Sequence, residues 1–174
     1  NPYFVHLDYG ERQFQVADDH HEFFGKNFCL KKSVLEAMGG FDEKLGRKGA
    51  SLAAGEETII YKRLIEQGAR VVYFPDAPVG HRLKPAEYTP ANIEKKFVDG
   101  AASSLLIADA FATKRLFSRP IYPLKDAVLR LLSSLFALPA KLVRKEDGAR
   151  RDAFYHRLQL KRAVRMIKLW IAMR

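Results

Sequence analysis

A chain of 174 residues can bury one ordinary hydrophobic core, so a single domain with an appendage is the expectation. Its 48% hydrophobic and 29% charged content exclude wholesale disorder, and a lone cysteine, Cys29, excludes an internal disulfide framework and suits a reducing compartment. The formal charge of +10 is unevenly placed: residues 1–112 carry 14 Lys+Arg against 16 Asp+Glu, net −2, while residues 113–174 carry 16 against 4, net +12. The excess positive charge therefore belongs to the last third, which calls for an anionic partner. Pro120 and Pro123 help to place a boundary near Thr113–Pro123, giving a first domain of 1–112 and a basic tail of 113–174. The N-terminus shows no signal-peptide pattern, and Asn1 in place of a methionine reads as an excision from a longer chain.

Residues 1–17 alternate loosely around Tyr3, Val5, Leu7, Phe14 and Val16, which predicts short strands about a Gly10 turn. Asp18-Asp19-His20-His21-Glu22 is polar and reads as a loop. It is no metal site, since adjacent side chains rarely converge on one ion. Phe28-Cys29-Leu30 is a short buried-strand candidate. Ser33 and Glu36 have capping-box spacing, predicting a helix that runs to Met38 and stops at Gly39-Gly40. Residues 46–55 read as a flexible loop. Ile59, Ile60, Leu64 and Ile65 recur at helical spacing over 56–67, with Gly68 as a left-handed stop. Val71 to Phe74 follows as a buried strand ended by Pro75, and Thr89-Pro90 opens a helix to about Ala112. Alternation of strand and helix makes this an α/β domain.

The tail holds two amphipathic stretches. Leu124, Val128, Leu131, Leu135, Leu138 and Leu142 form one apolar face, with Lys125, Arg130 and Lys141 around it. Leu160, Ala163, Val164, Ile167 and Ile171 form the second, among Arg157, Lys161, Arg165 and Lys168, with Trp170 near its end. Apolar faces with basic flanks and an interfacial tryptophan suit helices lying on an anionic membrane surface, and neither stretch spans a bilayer. The alternative is that both faces pack on the rest of the chain. Interleaved aromatics and recognised modules are missing from the tail, which argues against nucleic acid.

Three blocks carry a family resemblance: Phe24-Gly25-Lys26-Asn27-Phe28-Cys29, then Met38-Gly39-Gly40-Phe41-Asp42, then Gly55-Glu56-Glu57-Thr58 with Ala69 to His81 after it. In this order they resemble the C-terminal, acceptor-side half of the catalytic domain of family 2 glycosyltransferases, over about residues 1–110. The resemblance implies a partial GT-A sheet with helices. It implies a metal-dependent, inverting transfer of a sugar from a nucleotide-sugar donor to a glycan or lipid-linked acceptor, at the cytoplasmic face of a membrane. Glu57 would be the general base, although this family more often has Asp there. Gly25, Asn27, Asp42 and Glu56 would line the substrates, and His81 would stand on the side of a divalent metal (Mg or Mn) whose other ligands lie outside this chain. The strand-terminal Asp-X-Asp of such enzymes belongs to a nucleotide-binding half expected before Asn1, so this segment alone would be inactive. Each residue also has a plainer reading. The helix dipole favours Glu56 and Glu57 at a helix start whatever their chemistry, Gly25 can serve a turn, and Asp42 can close one. A competing reading of the whole is a non-catalytic module that binds anionic membrane through its tail.

Overall fold

A computed structural model describes residues 8–18, 21, 23, 25–46, 54–80, 82, 84–143 and 147–173. The described residues form five α-helices and two two-stranded antiparallel sheets, a mixed α/β chain. They divide into two compact units, Asn1–Lys44 with Gly55–Glu87, and Leu45–Ala54 with Tyr88–Arg174.

In the first unit, β1 (Phe14–Val16) pairs antiparallel with β2 (Val71–Tyr73), Phe14 opposite Tyr73 and Val16 opposite Val71. Helix α2 (Glu56–Glu66) supplies Ile60, Tyr61 and Leu64 to a core with Val16 and Val71. Burying such side chains stabilises by roughly 1.5–3 kcal/mol each. Helix α1 (Lys32–Ala37) packs Val34 and Leu35 against the same core. Both helices end as their glycines predict. Gly39 and Gly40 donate to the carbonyls of Glu36 and Leu35, and Gly68 and Ala69 to those of Ile65 and Leu64. These paired bonds form Schellman motifs, with Gly39 and Gly68 left-handed at φ 81° and 65°.

Three local expectations change. Ser33 is not a cap: the helix enters two residues earlier, through an extended Lys31 whose carbonyl accepts from Val34 and Leu35. Phe28 to Leu30 form no strand. Phe28 instead stacks on Phe23 at 5.0 Å and Leu30 packs on the core, so this segment is held by its side chains. Around Gly10 there is a turn, its N–H donating to Asp8 Oδ1 and its carbonyl accepting from Tyr73 Oη, and β1 is the strand that follows. The predicted strand residues before it lie outside the described residues.

The second unit is helical. Thr89 caps α3 (Pro90–Phe111) by accepting from the Asn92 N–H, with Pro90 in the first turn. A hairpin of β3 (Arg115–Leu116) and β4 (Arg119–Pro120) leads into α4 (Ile121–Val143), and α5 (Asp147–Ala172) follows. Helix α4 continues through Pro139. Ala101 and Leu105 of α3, Ala127 of α4, and Ala163, Met166 and Trp170 of α5 make one core. Trp170 is therefore not interfacial. It is 6% exposed, and its indole N–H donates to the Pro120 carbonyl at 2.7 Å. The predicted tail face is divided: Leu124 and Leu131 pack on this core, while Val128 and Leu135 are exposed. No described helix is long and apolar enough to cross a membrane.

Candidate functional site

Helix α2 begins at Gly55, left-handed at φ 115° and unable to cap with a side chain. The open first turn thus falls to the acidic pair Glu56 and Glu57, placed where the helix dipole favours negative charge. Tyr61, one turn on, fixes the helix by donating from Oη to the Asp18 carbonyl at 2.6 Å. Phe23 meets the Tyr61 ring edge-on at 5.1 Å and stacks on Phe28, so an aromatic trio holds the 25–27 turn beside this helix start.

That turn brings Gly25 onto the Glu57 carboxylate. A Cβ built on Gly25 would fall 2.8 Å from Oε1, closer than real Cβ contacts, and a tight 3.2 Å from Cδ. Any side chain at this position would therefore displace the Glu57 carboxylate from where it stands. Asn27 ties the turn to the segment after β2, its Nδ2 donating to the Ala77 carbonyl at 3.1 Å. Gly25, Lys26 and Asn27 are exposed and Glu57 is half-buried, so the carboxylate is constrained but open to solvent.

Burial raises the Glu57 pKa above the ordinary carboxylate value, and backbone hydrogen bonds at Glu57 and Gly55 partly offset it. The adjacent Glu56 adds like-charge repulsion and a side-chain hydrogen bond that favours the protonated form. One oxygen of Glu56, Oε2, is buried with no hydrogen-bond partner. Of these two neighbouring carboxyls, Glu57 thus holds a proton more tightly than a free glutamate does.

Of the residues singled out in the sequence, Gly25 and Glu57 are in direct apposition, Glu56 is beside them, and Asn27 braces their turn. Asp42 is engaged locally, its Oδ1 accepting the Lys44 N–H at 2.8 Å. His81 lies outside the described residues. Asp18 and His21 pair with each other, His21 Nδ1 standing 2.9 Å from Asp18 Oδ1. Among the described residues no three of His, Cys, Asp or Glu gather as a metal would need. The Asn27–Ala77 tie was not legible in the sequence: a 50-residue separation leaves no local signal.

The chain is 34% identical over 76 residues to the glucosyl-dolichyl phosphate glucuronosyltransferase of Haloferax volcanii. The match takes in 43% of this chain and spans 23% of the length of that curated relative. No family model matches the chain, and no solved structure matches it.

Proposed function

We propose that this chain is the acceptor-side part of an inverting glycosyltransferase of family 2 and GT-A type, with Glu57 as general base. The observation that carries the reading is the Gly25–Glu57 apposition: a half-buried carboxylate of raised basicity, held open at a helix start by a residue without a side chain. Similarity to a glucuronosyltransferase supports a sugar-transfer role, and its glucosyl-dolichyl phosphate name suggests a lipid-linked glycan as acceptor. The donor is a nucleotide sugar, and the protein works peripherally at the inner face of a membrane.

In this reading an acceptor hydroxyl approaches Glu57 and gives its proton to a carboxylate oxygen. The acceptor oxygen forms its bond to the anomeric carbon as the bond to the nucleoside diphosphate breaks on the opposite face. Such a base contributes about 10²–10⁴-fold. Asn27 and Gly25 fix the carboxylate's surroundings, and burial, with a smaller contribution from Glu56, raises its proton affinity. A divalent ion would supply charge neutralisation for the leaving diphosphate. The ligands of such an ion are proposed to lie mostly outside this chain, with His81 on its side.

The test is Glu57→Gln in the full-length protein, assayed for sugar transfer to a lipid-linked acceptor. Donor binding should persist while turnover falls about 10²-fold or more, with Glu57→Asp retaining more activity than Gln. Near wild-type turnover of the Gln variant at saturating donor would remove Glu57 from the role.

A further inference from the structure

Helix α4 is apolar on more than the face it buries. Ala127, Leu124 and Leu131 meet the helical core. On the remaining circumference Tyr122, Leu129, Leu132 and Phe136 are exposed, with Val128 and Leu135 beside them. Tyr122, Leu129, Leu132 and Phe136 follow at seven, three and four residues, a stripe along one side of the helix that Lys125 interrupts between Tyr122 and Leu129. It is about 21 Å long at 1.5 Å per residue. Exposure is extreme at its ends: Tyr122 is 73% and Phe136 82% accessible. Scattered exposed leucines are ordinary; an aligned stripe of this kind marks an interaction surface.

The charge around the stripe selects its partner. The only carboxylate of α4, Asp126, is held by Arg130, whose Nε donates to it at 2.6 Å, and Lys125 stands exposed within the stripe's span. Residues 113–174 carry net +12. Two copies meeting through this face would bring two such tails together, which like-charge repulsion opposes. An anionic lipid surface satisfies both features, since it takes apolar side chains below its headgroups and attracts Lys125 and the net positive charge of residues 113–174. The hairpin before α4 adds a further exposed aromatic. Phe117, 80% accessible, sits at its tip with φ 49°, followed by Ser118 at φ 63°. Two successive non-glycine residues in the left-handed region are strained. Arg115 holds the turn by donating to the Ser118 carbonyl and to Asp109.

We propose that the outward stripe of α4, Tyr122, Leu129, Leu132 and Phe136, inserts into the headgroup–acyl boundary of an anionic bilayer. The proposal deepens the membrane-side placement given above by naming the face that makes the contact, and it rests on that placement alone, not on the transfer reaction. It also reassigns the contact: the stripe is not the leucine face that packs on α3 and α5.

The experiment is flotation of the full chain with phosphatidylcholine vesicles, with and without phosphatidylglycerol. The wild type should float with the anionic vesicles and keep a residual affinity near 1 M salt, where the Debye length is about 3 Å and charge attraction is screened. Replacing Leu129 and Phe136 together with Ser should lower partitioning about tenfold or more while leaving the melting temperature unchanged. Leu131→Ser, on the packed side, should instead lower the melting temperature. Phe136→Trp should shift its emission to the blue on anionic vesicles, above the constant signal of buried Trp170. Equal flotation of the double Ser variant, or binding abolished by salt with no Trp shift, would overturn the proposal. So would a wild-type dimer in sedimentation that the double variant dissociates, since a second copy would then occupy the stripe. Glu57→Gln should leave flotation unchanged, so the transfer reading and this one fail separately.

Discussion

At the scale of single residues, Glu57 and Gly25 act as a pair, and each makes a prediction about the other. Because burial and Glu56 raise the Glu57 pKa in the folded chain, the ionised side chain opposes folding at neutral pH. That opposition fades as pH falls through the folded pKa, and it is gone below the unfolded one, where both states are protonated. Glu57→Gln should therefore melt higher than wild type near neutrality, and the difference should vanish in acid. The same shift moves the acidic limb of kcat/KM above the ordinary carboxylate range, and a limb at the ordinary value would refute the tuning. Gly25→Ala is the sharper probe. Gly25 does not lie in the left-handed region, so alanine leaves the backbone unstrained and restricts the unfolded chain, worth about 0.4–1 kcal/mol of stability. Its methyl group displaces the flexible end of Glu57 instead. We expect an unchanged or higher melting temperature with turnover lowered about 10–10²-fold, since a displacement near 1 Å suffices for such a loss. A drop in stability with activity intact would show that the turn, not the carboxylate, requires the glycine.

Among the elements, α5 is the one whose residues were most altered in meaning by their surroundings. Arg162, basic in the sequence count, is turned inward: Nη1 donates to the Phe97 carbonyl and Nη2 to Ser104 Oγ. Desolvation and the nearby Arg130 lower its pKa, and Gly100 makes room for it, since a Cβ there would meet Nη1 at 2.8 Å. Arg130 in turn bonds Asp126 and Gln159, and the buried Ser134 faces His156. A polar seam thus fixes the register of α4 on α5 within an otherwise apolar contact. Trp170 closes the far end, with the Arg119 guanidinium over its ring and its N–H on Pro120. Trp170→Phe strands the buried Pro120 carbonyl, so chemical denaturation should report a loss of about 1–3 kcal/mol. A neutral result would mean that the carbonyl regains a partner, and that the bond is not what docks the hairpin on α5.

For the whole molecule, the grouping of α3 with α4 and α5 has a direct consequence. Truncation after Ala112 would strip Ala101 and Leu105 of the core they share with Ala163, Met166 and Trp170. Helix α3, left alone, lacks the tertiary packing that supplies most helical stability. Residues 1–112 should therefore lose the α3 helix or self-associate, visible in circular dichroism and sedimentation. A monomeric 1–112 fragment with α3 protected from hydrogen exchange would contradict this. Vesicle binding is accordingly tested with point substitutions in the full chain, because removing the tail also removes a core.

Local chemistry in the sequence was enough for helices α2 and α3, the glycine stops at Gly39 and Gly68, and the existence of strand β2, because propensity, period and left-handed turns act within a few residues. The burial expected of that strand holds at Val71 but not at Val72 or Phe74, which are exposed where a two-stranded sheet is covered on one face only. The acidic pair at the start of α2 was legible because it, too, is local. Pairing between distant segments was not. That Gly25 faces Glu57, that Asn27 reaches Ala77, and that Trp170 is buried under Pro120 depend on chain reversals that no local pattern encodes. The tail shows the distinction most clearly. Periodicity could establish that α4 and α5 are amphipathic, but α4 is apolar over so much of its circumference that its sequence offers two candidate faces. Only packing against α3 and α5 decided which leucines were covered and which, with Phe136 and Tyr122, were left to meet something else.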